Sequence, residues 1–256
     1  MIGLSVYIIT LNEEKRLAKT LKQAQKVADE IIVVDSGSTD KTLEIAQTHK
    51  AKTIHNDWKS YCEQKHFAES QCTNDWVLML DADEVLSDEL VKEIKAFKKN
   101  PEYNAYRIKI TDMFPTDTTP SRFANTFNPV RLYNKKYVQM PKDRMNKDRV
   151  LVPAGMPIGQ LQSQIYHYSI ISIEDTINKH NIHSTELQKT LEKDNKTYST
   201  LRLILELPYQ FCRYYFLKKY VFRGAYGFIM ANIVAYFRFL KVAKRFETQM
   251  LRKAKR

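Results

Sequence analysis

The chain has few of the residues that mark the commoner kinds of nucleotide and metal site. Its 256 residues include 6 glycines and 3 cysteines. The glycines form neither a GxGxxG nor a GxxxxGK[ST] pattern, so a dinucleotide fingerprint and a phosphate loop are excluded, and phosphate must be held by side chains and a metal. Cys62, Cys72 and Cys212 form no CxxC pair and leave one cysteine unpaired, so we expect no zinc site, no disulfide framework and a reduced, cytosolic setting.

Acidic residues are almost missing from the end of the chain. Residues 201–256 contain 13 Lys or Arg and 2 Asp or Glu, which accounts for +11 of the total net charge of +12. Residues 1–200 are therefore nearly neutral, and we expect no nucleic-acid surface there. The basic segment needs an anionic partner.

Long apolar runs are also missing from this basic segment. Its longest uncharged run, Gly224 to Phe237, has 14 residues, fewer than the roughly 20 that span a bilayer. Aromatic and basic residues alternate around it, which favours a segment lying among the lipid headgroups of an anionic membrane. Packing of the aromatic residues against the rest of the protein stays open as an alternative, and no nucleic-acid motif is present.

The first hundred residues alternate between apolar runs and amphipathic stretches, which predicts a parallel sheet with crossover helices. Asn12 is the predicted N-cap of the first helix, with Glu13 and Glu14 in its first turn. Ser87 is predicted to begin a later helix. The predicted strands are Leu4–Thr10, Ile31–Val34, Lys52–His55 and the apolar run that starts at Trp76, followed after residue 100 by Tyr103–Ile110, Asn128–Tyr133 and Ile165–Tyr168. Residues 111–128 are predicted to form a long mobile loop that covers an active site, and residues 173–199 read as helical.

The stretch from Trp76 to Glu84, WVLMLDADE, is the strongest candidate for a site. A predicted buried strand ends at Asp81, and Asp83 follows it, at the carboxyl end of the sheet where α/β folds bind ligands. Two carboxylates there suit a hard cation that shares oxygens with substrate phosphates. Alone, the pattern is as consistent with a solvated turn, but polar residues that end the neighbouring strands, Asn12 and Asp35 among them, favour the metal site.

Four stretches, SVYIITLNEE, ADEIIVVDSGSTDKT, QKHFA and DWVLMLDADE, carry a resemblance to a known family. The chain resembles family 2 glycosyltransferases of the GT-A fold, in particular the lipopolysaccharide core β-1,4-glucosyltransferases that act on a heptose. RLY, KDRV and HYSIISIEDTINKHN extend the resemblance over nearly the whole chain. It implies a Rossmann-like α/β fold, with a mixed, mainly parallel central sheet flanked by helices and a C-terminal helical extension that associates with membranes.

The resemblance also implies a donor site for a UDP-sugar. Asp35 would accept a hydrogen bond from the uracil N–H, and Lys65 would lie near the base and phosphates. Thr10, Asn12 and Glu13 would close the first strand under the nucleotide. Asp35 as a turn former and Lys65 as a solvated surface residue are the structural alternatives.

The resemblance further implies a divalent metal, Mn²⁺ or Mg²⁺, and a catalytic base. Asp81 would face the ribose and the metal, Asp83 would ligate the metal, and His167 would complete its shell. Asp148, in KDRV, would deprotonate the acceptor hydroxyl for one inverting displacement. Relatives usually have His-Glu where this chain has Lys147-Asp148, so Asp143 and Asp112 stay open as bases. His167 as a core histidine and Asp148 in a solvated loop are the structural alternatives.

We therefore expect a peripheral enzyme on the inner face of the cell membrane that moves a sugar, first of all glucose, from a UDP-sugar to a lipid-linked saccharide such as the lipopolysaccharide inner core. The expected division is a catalytic domain over 1–200, with a nucleotide-binding half (1–100) and an acceptor-binding half (101–200), and a membrane-associating tail over 201–256. A transferase for another cell-surface glycan, a nucleotidyltransferase and a catalytically silent membrane adaptor are the alternatives. The oligomeric state stays open.

Overall fold

The computed structural model describes residues 1–142, 149–178 and 197–254. The chain divides into two compact units. The sheet unit consists of Met1–Asp112 and Thr126–Ser169, and the helical unit of Met113–Asn125 and Ile170–Arg256. The predicted base Asp148 and the alternative base Asp143 lie outside the described residues, as does most of the stretch predicted to be helical between 173 and 199.

The amino-terminal part of the sheet unit is a parallel sheet. Its strands are β1 (Leu4–Thr10), β2 (Glu30–Asp35), β3 (Lys52–His55) and β4 (Trp76–Asp81), in the order β3-β2-β1-β4. Alternate residues of β1 enter two hydrophobic clusters on opposite faces, Val6 and Ile8 in one and Tyr7 and Ile9 in the other. Burial on both faces explains why these strands read as continuous apolar runs, and all four were predicted at nearly these positions.

Four helices cover the sheet: α1 (Leu17–Ala24), α2 (Thr42–Thr48), α3 (Tyr61–Ser70) and α4 (Asp88–Phe97). The prediction for α4 is confirmed, because the Ser87 side chain accepts a hydrogen bond from the Leu90 amide at its start. The predicted N-cap at Asn12 is wrong. Helix α1 begins only at Leu17, with no acidic residue in its first turn, and Asn12 has a left-handed backbone (φ 56°) in the preceding loop.

The rest of the sheet is mixed. It comprises β5 (Glu84–Leu86), β6 (Ala105–Asp112), β7 (Thr126–Phe127), β8 (Val130–Asn134) and β9 (Gly159–His167). Strand β8 runs antiparallel to β4, whereas β6 and β9 run parallel to each other. The fold class expected from the sequence is confirmed: one mixed sheet flanked by helices, with a helical C-terminal extension. The short strands β5 and β7 were missed, because three and two residues carry no periodic signal.

The helical unit is built on α5 (Thr200–Cys212) and α6 (Gly224–Ala254), joined by one π-helical and one 3₁₀ turn. Residues 113–125, the middle of the predicted loop, belong to this unit. Asp117 forms an ion pair with Arg223, whose guanidinium also lies 3.5 Å from the centre of the Phe114 ring. By length and composition alone, the helical stretch Tyr220–Arg252 could cross a membrane. The sequence analysis counted only the uncharged run of 14 residues, and it therefore predicted a segment that lies on the membrane and does not span it.

Candidate active site

The polar ends of the parallel strands meet at one edge of the sheet. Thr10 pairs with Asp35 across β1 and β2, and Ile9 pairs with Asp81 across β1 and β4. Because these are the carboxyl ends of parallel strands, the side chains that follow them converge. The expectation that Thr10, Asp35 and Asp81 share one edge is therefore met by the strand register.

Asp35 closes the loop that follows β2. Its Oδ2 accepts hydrogen bonds from the amides of Gly37 and Ser38, each at 2.8 Å. Its Oδ1 accepts from the hydroxyls of Thr10 (3.1 Å) and Ser38. A carboxylate offers about four acceptor positions, so all are occupied by the chain itself. A uracil N–H would have to replace one of these donors, and the hydroxyls of Thr10 and Ser38 are the two that can rotate away from the carboxylate.

Asn12 and Glu13 hold the loop after β1 against the same segment. The Asn12 amide donates to the Ser38 hydroxyl at 2.8 Å, and its side-chain oxygen accepts from the Thr39 amide at 2.9 Å. Both oxygens of Glu13 contact the Arg16 guanidinium at 2.6 Å. Glu13 therefore positions Arg16, which in turn faces the acidic stretch after β4.

Asp81 lies between two cations. Its Oδ1 is 2.7 Å from the Lys65 ammonium, and its Oδ2 is 3.1 Å from Nη2 of Arg131. The same Nη2 is 2.6 Å from the buried carboxylate of Glu84. Burial opposes ionisation of Asp81, but Lys65 and Arg131 outweigh it and hold its pKa far below the usual range. Burial raises the pKa of Glu84 to about 7 despite Arg131. Lys65 is almost fully buried, so it is not a solvated surface residue.

Asp83 and His167 face each other across a short strand pair. The antiparallel register of β5 and β9 places Glu84 opposite His167, and the Tyr168 amide donates to the Asp83 carbonyl at 2.9 Å. The Asp83 Oδ2 atom lies 3.5 Å from Nε2 of His167 and 3.4 Å from Nη1 of Arg16. Asp83 and His167 therefore lie close enough to act on one ligand.

Asp112 holds the other side of the His167 ring. The parallel register of β6 and β9 sets the two residues opposite each other, and Nδ1 of His167 is 2.7 Å from the Asp112 carboxylate. Burial alone would lower the pKa of His167, but Asp112 and Asp83 raise it to about 10. The Asp112 carboxylate is already hydrogen-bonded to the His167 imidazole. This makes Asp112 a poor candidate for the base that deprotonates the acceptor hydroxyl.

Asp83 and His167 have the donor chemistry for a divalent cation once Nε2 of His167 loses its proton and the contacts of Asp83 with His167 and Arg16 open. In the described part of the chain, no three His, Cys, Asp or Glu side chains are grouped so as to hold a metal on their own. Mg²⁺ and similar ions are commonly held by one or two protein ligands together with substrate phosphates, and Asp83 with His167 would supply such a pair. At Asp81 a metal would have to displace Lys65 or Arg131.

A cavity of about 950 Å³ opens beside these residues. Its lining includes Asp81, Glu84, Arg131 and His167, together with residues of β6, of the segment 127–130 and of the segment 149–158. Such a volume is in the range of small-molecule sites. The segment 149–153 directly follows Asp148 in sequence, so the chain that carries the predicted base leads into a cavity wall.

Sequence reasoning missed two charged residues of this site, Arg131 and Arg16, and gave Glu84 no role of its own. Arg131 had a usable signal, because it is a charged residue in the middle of the apolar strand β8, four of whose five residues are buried. Arg16 had none, since it lies in a short stretch of mixed charge, NEEKR. The metal, donor and base assignments themselves stay predictions.

Comparisons with known sequences agree on the family of this chain. Residues 5–157 match the model of glycosyl transferase family 2. An uncharacterised glycosyltransferase of Rickettsia typhi is 41% identical over 95% of this chain and 87% of its own length. The lipopolysaccharide core biosynthesis glycosyltransferase LpsC of Rhizobium meliloti is 29% identical over 98% and 94%. Among solved structures, TarS of S. aureus is similar with a TM-score of 0.48 and 17% identity, over 99% of this chain and 92% of that one.

Proposed function

The chain belongs to glycosyl transferase family 2, and we propose that it transfers a sugar from a UDP-sugar to a lipid-linked saccharide, with glucose as the first candidate for the sugar. The observation that carries the proposal is the convergence of Asp81, Asp83 and His167 beside the 950 Å³ cavity at the carboxyl edge of the sheet. That edge is where open α/β sheets bind ligands.

In this proposal the donor nucleotide lies over the loops after β1 and β2. Asp35 accepts a hydrogen bond from the uracil N–H in place of the Ser38 hydroxyl, while the Gly37 and Ser38 amides keep its carboxylate aimed. Thr10, Asn12 and Glu13 support these loops from beneath the nucleotide. Asp81 faces the ribose, and Lys65 and Arg131 hold its carboxylate ionised and fixed.

Asp83 and His167 are the proposed ligands of a divalent metal. When bound, the metal would neutralise charge on the departing diphosphate, the main electrostatic contribution in this type of site. Asp112 fixes the His167 ring by accepting from Nδ1, which directs Nε2 towards Asp83. Arg16, held by Glu13, is a second positive charge close to Asp83.

The acceptor is proposed to enter the cavity beside the metal ligands. Asp148 is the proposed base, and a base positioned at the acceptor hydroxyl contributes about 10²–10⁴ in rate. Its place in sequence, directly before the cavity-lining residue Arg149, supports this assignment. One displacement at the anomeric carbon would invert its configuration.

The similarity to LpsC supports a lipopolysaccharide core saccharide as acceptor. A lipid-linked acceptor requires the enzyme to reach a membrane, and the net charge of +11 in residues 201–256 supports attraction to anionic lipid on the inner face. The division of the chain into donor-binding, acceptor-binding and membrane-associating segments at residues 100 and 200 stays part of the proposal, as does transfer to another cell-surface glycan.

A panel of UDP-sugars, tested for thermal stabilisation of the protein with and without Mn²⁺, tests the donor proposal. We expect a UDP-hexose to raise the unfolding temperature more with Mn²⁺ than without it, and Asp83→Ala to remove only the metal-dependent part. Asp75→Ala is the matched control, because Asp75 precedes the same strand and pairs with exposed Lys136. Equal stabilisation with and without metal would contradict the metal assignment, and no stabilisation by any UDP-sugar would favour the catalytically silent alternative.

A further inference from the structure

Helix α5 of the helical unit buries polar side chains and exposes large apolar ones, which is the reverse of a helix in a water-soluble protein. The buried residues of this helix are Glu206 and Gln210. Large apolar residues on the other side are exposed: Leu201 and Ile204 by 65%, Leu205 by 51% and Tyr209 by 60%. Single exposed apolar residues are ordinary, but a contiguous row of them marks an interaction surface.

The exposed residues form one stripe along the helix. Leu201, Ile204, Leu205 and Tyr209 follow each other at spacings of three and four residues, which places them on one face. Glu206 and Gln210, also four residues apart, lie on the opposite face, where the Gln210 amide donates to Glu206 at 2.8 Å. The helix thus pairs two polar side chains on its buried face and presents large apolar side chains on the outer one.

This arrangement is the one expected of a helix whose surroundings are apolar. In water, burial of a carboxylate and an amide is unfavourable unless they are paired, and exposure of hydrocarbon forfeits the hydrophobic effect. In lipid, outward-facing hydrocarbon carries no such penalty, and polar side chains are better placed inside the protein, where they can pair. The outer stripe of α5 therefore suits acyl chains rather than water.

Charge at the end of the helix matches the same partner. Arg213 and the exposed pair Lys218 and Lys219 follow α5 directly, in the turns that lead to α6. Basic side chains beside an apolar stripe are arranged like an interfacial helix, with the stripe below the headgroups and the ammonium groups among anionic phosphates.

We infer that the outer face of α5, formed by Leu201, Ile204, Leu205 and Tyr209, inserts into the hydrocarbon border of a phospholipid bilayer. This extends the membrane location proposed above from electrostatic attraction to apolar insertion. It predicts binding that survives high salt, whereas attraction through basic residues alone would not, because the Debye length falls to about 3 Å at 1 M salt.

The test is co-sedimentation of the full chain with vesicles of phosphatidylcholine and phosphatidylglycerol, in low salt and in about 1 M salt. We expect the wild type to remain bound in high salt. Leu201→Gln/Leu205→Gln, which changes two exposed side chains, is expected to lower the high-salt partition coefficient at least about tenfold. Lys218→Gln/Lys219→Gln should weaken binding mainly in low salt. Tyr137→Gln, an equally exposed apolar position in the sheet unit, should bind like the wild type.

Two results would overturn the inference. One is binding that disappears in high salt and does not respond to Leu201→Gln/Leu205→Gln. The other is a vesicle-free dimer that this variant converts to a monomer, which would show that a second copy covers the face. UDP-sugar binding, measured in parallel, should be unchanged in the variant. If donor binding is missing in all proteins while vesicle binding persists, the proposed function fails and this inference stands.

Discussion

Arg131 is expected to hold the site together, and its removal should destabilise the protein measurably. Its Nη2 atom contacts both Asp81, at 3.1 Å, and Glu84, at 2.6 Å. Glu84 is almost completely buried. Arg131→Met keeps most of the volume of the side chain but leaves the Glu84 carboxylate without its guanidinium partner.

The expected loss in the free energy of unfolding follows from the burial of Glu84. Breaking a buried ion pair by removing one partner typically costs about 3–5 kcal/mol. The pKa of Glu84 is already raised to about 7, so part of the Glu84 population can escape the penalty by protonation, and we expect a loss near the lower value, about 3 kcal/mol. Arg131→Met/Glu84→Gln removes the stranded charge and should recover about 1–3 kcal/mol of the loss.

Urea unfolding at neutral pH measures these free energies. The matched control is Arg107→Met on the neighbouring strand β6, since Arg107 is exposed and its guanidinium donates to the Asn128 carbonyl. We expect the control to lose less than about 0.5 kcal/mol. A loss below about 1 kcal/mol for Arg131→Met, or a double variant whose loss is the sum of the two single losses, would refute the reasoning.

Two further predictions concern residues behind the site. Asp112→Ala should weaken Mn²⁺ binding by about 10–100-fold in calorimetry, because the His167 ring loses its orienting acceptor, and Asp112→Asn should restore part of it; unchanged affinity in Asp112→Ala would contradict a positioning role. Glu69 is a buried residue of α3, and burial raises its pKa although the Tyr133 hydroxyl and the Met140 amide donate hydrogen bonds to it. A carboxyl group whose pKa is raised by folding contributes stability at low pH that is lost as the pH rises through its folded-state pKa. Glu69→Gln should therefore gain stability relative to the wild type as the pH is raised from about 4 to 7, and a constant difference in unfolding free energy would contradict this.

The parallel half of the fold could be predicted because its signals are local. Strand β1 was expected at Leu4–Thr10 and is found there, since a buried strand needs an uninterrupted apolar run and a parallel sheet needs a helix between strands. The start of α4 was predictable for a similar reason, because Ser87 caps it through an amide three residues away.

The start of α1 could not be predicted in the same way. Asn12 has the chemistry of an N-cap, but its side chain is bound to the Thr39 amide in the next loop. This contact, 27 residues away in sequence, competes with capping and delays the helix to Leu17. A local pattern cannot show which of two partners wins.

The candidate site was predictable only where its residues end a strand. Asp81 and Asp83 stand out after an apolar run. The pairing of His167 with Asp112, by contrast, depends on the parallel register of β6 with β9, and the contact of Arg131 with Asp81 joins residues 50 apart in sequence. Such contacts arise from sheet register, which periodicity within one segment does not encode.

Acceptor-dependent release of UDP is the most direct test of the central claim, that the protein transfers a sugar from a UDP-sugar and that Asp83 and His167 would hold the metal this requires. The measurement compares wild type, Asp83→Ala and the Asp75→Ala control with UDP-glucose, Mn²⁺ and a lipid-linked core saccharide, with unfolding followed in parallel. The account predicts turnover in the wild type and the control, and a loss of at least about 10²-fold in Asp83→Ala with an unchanged unfolding midpoint. Near-normal turnover by a well-folded Asp83→Ala protein would contradict it.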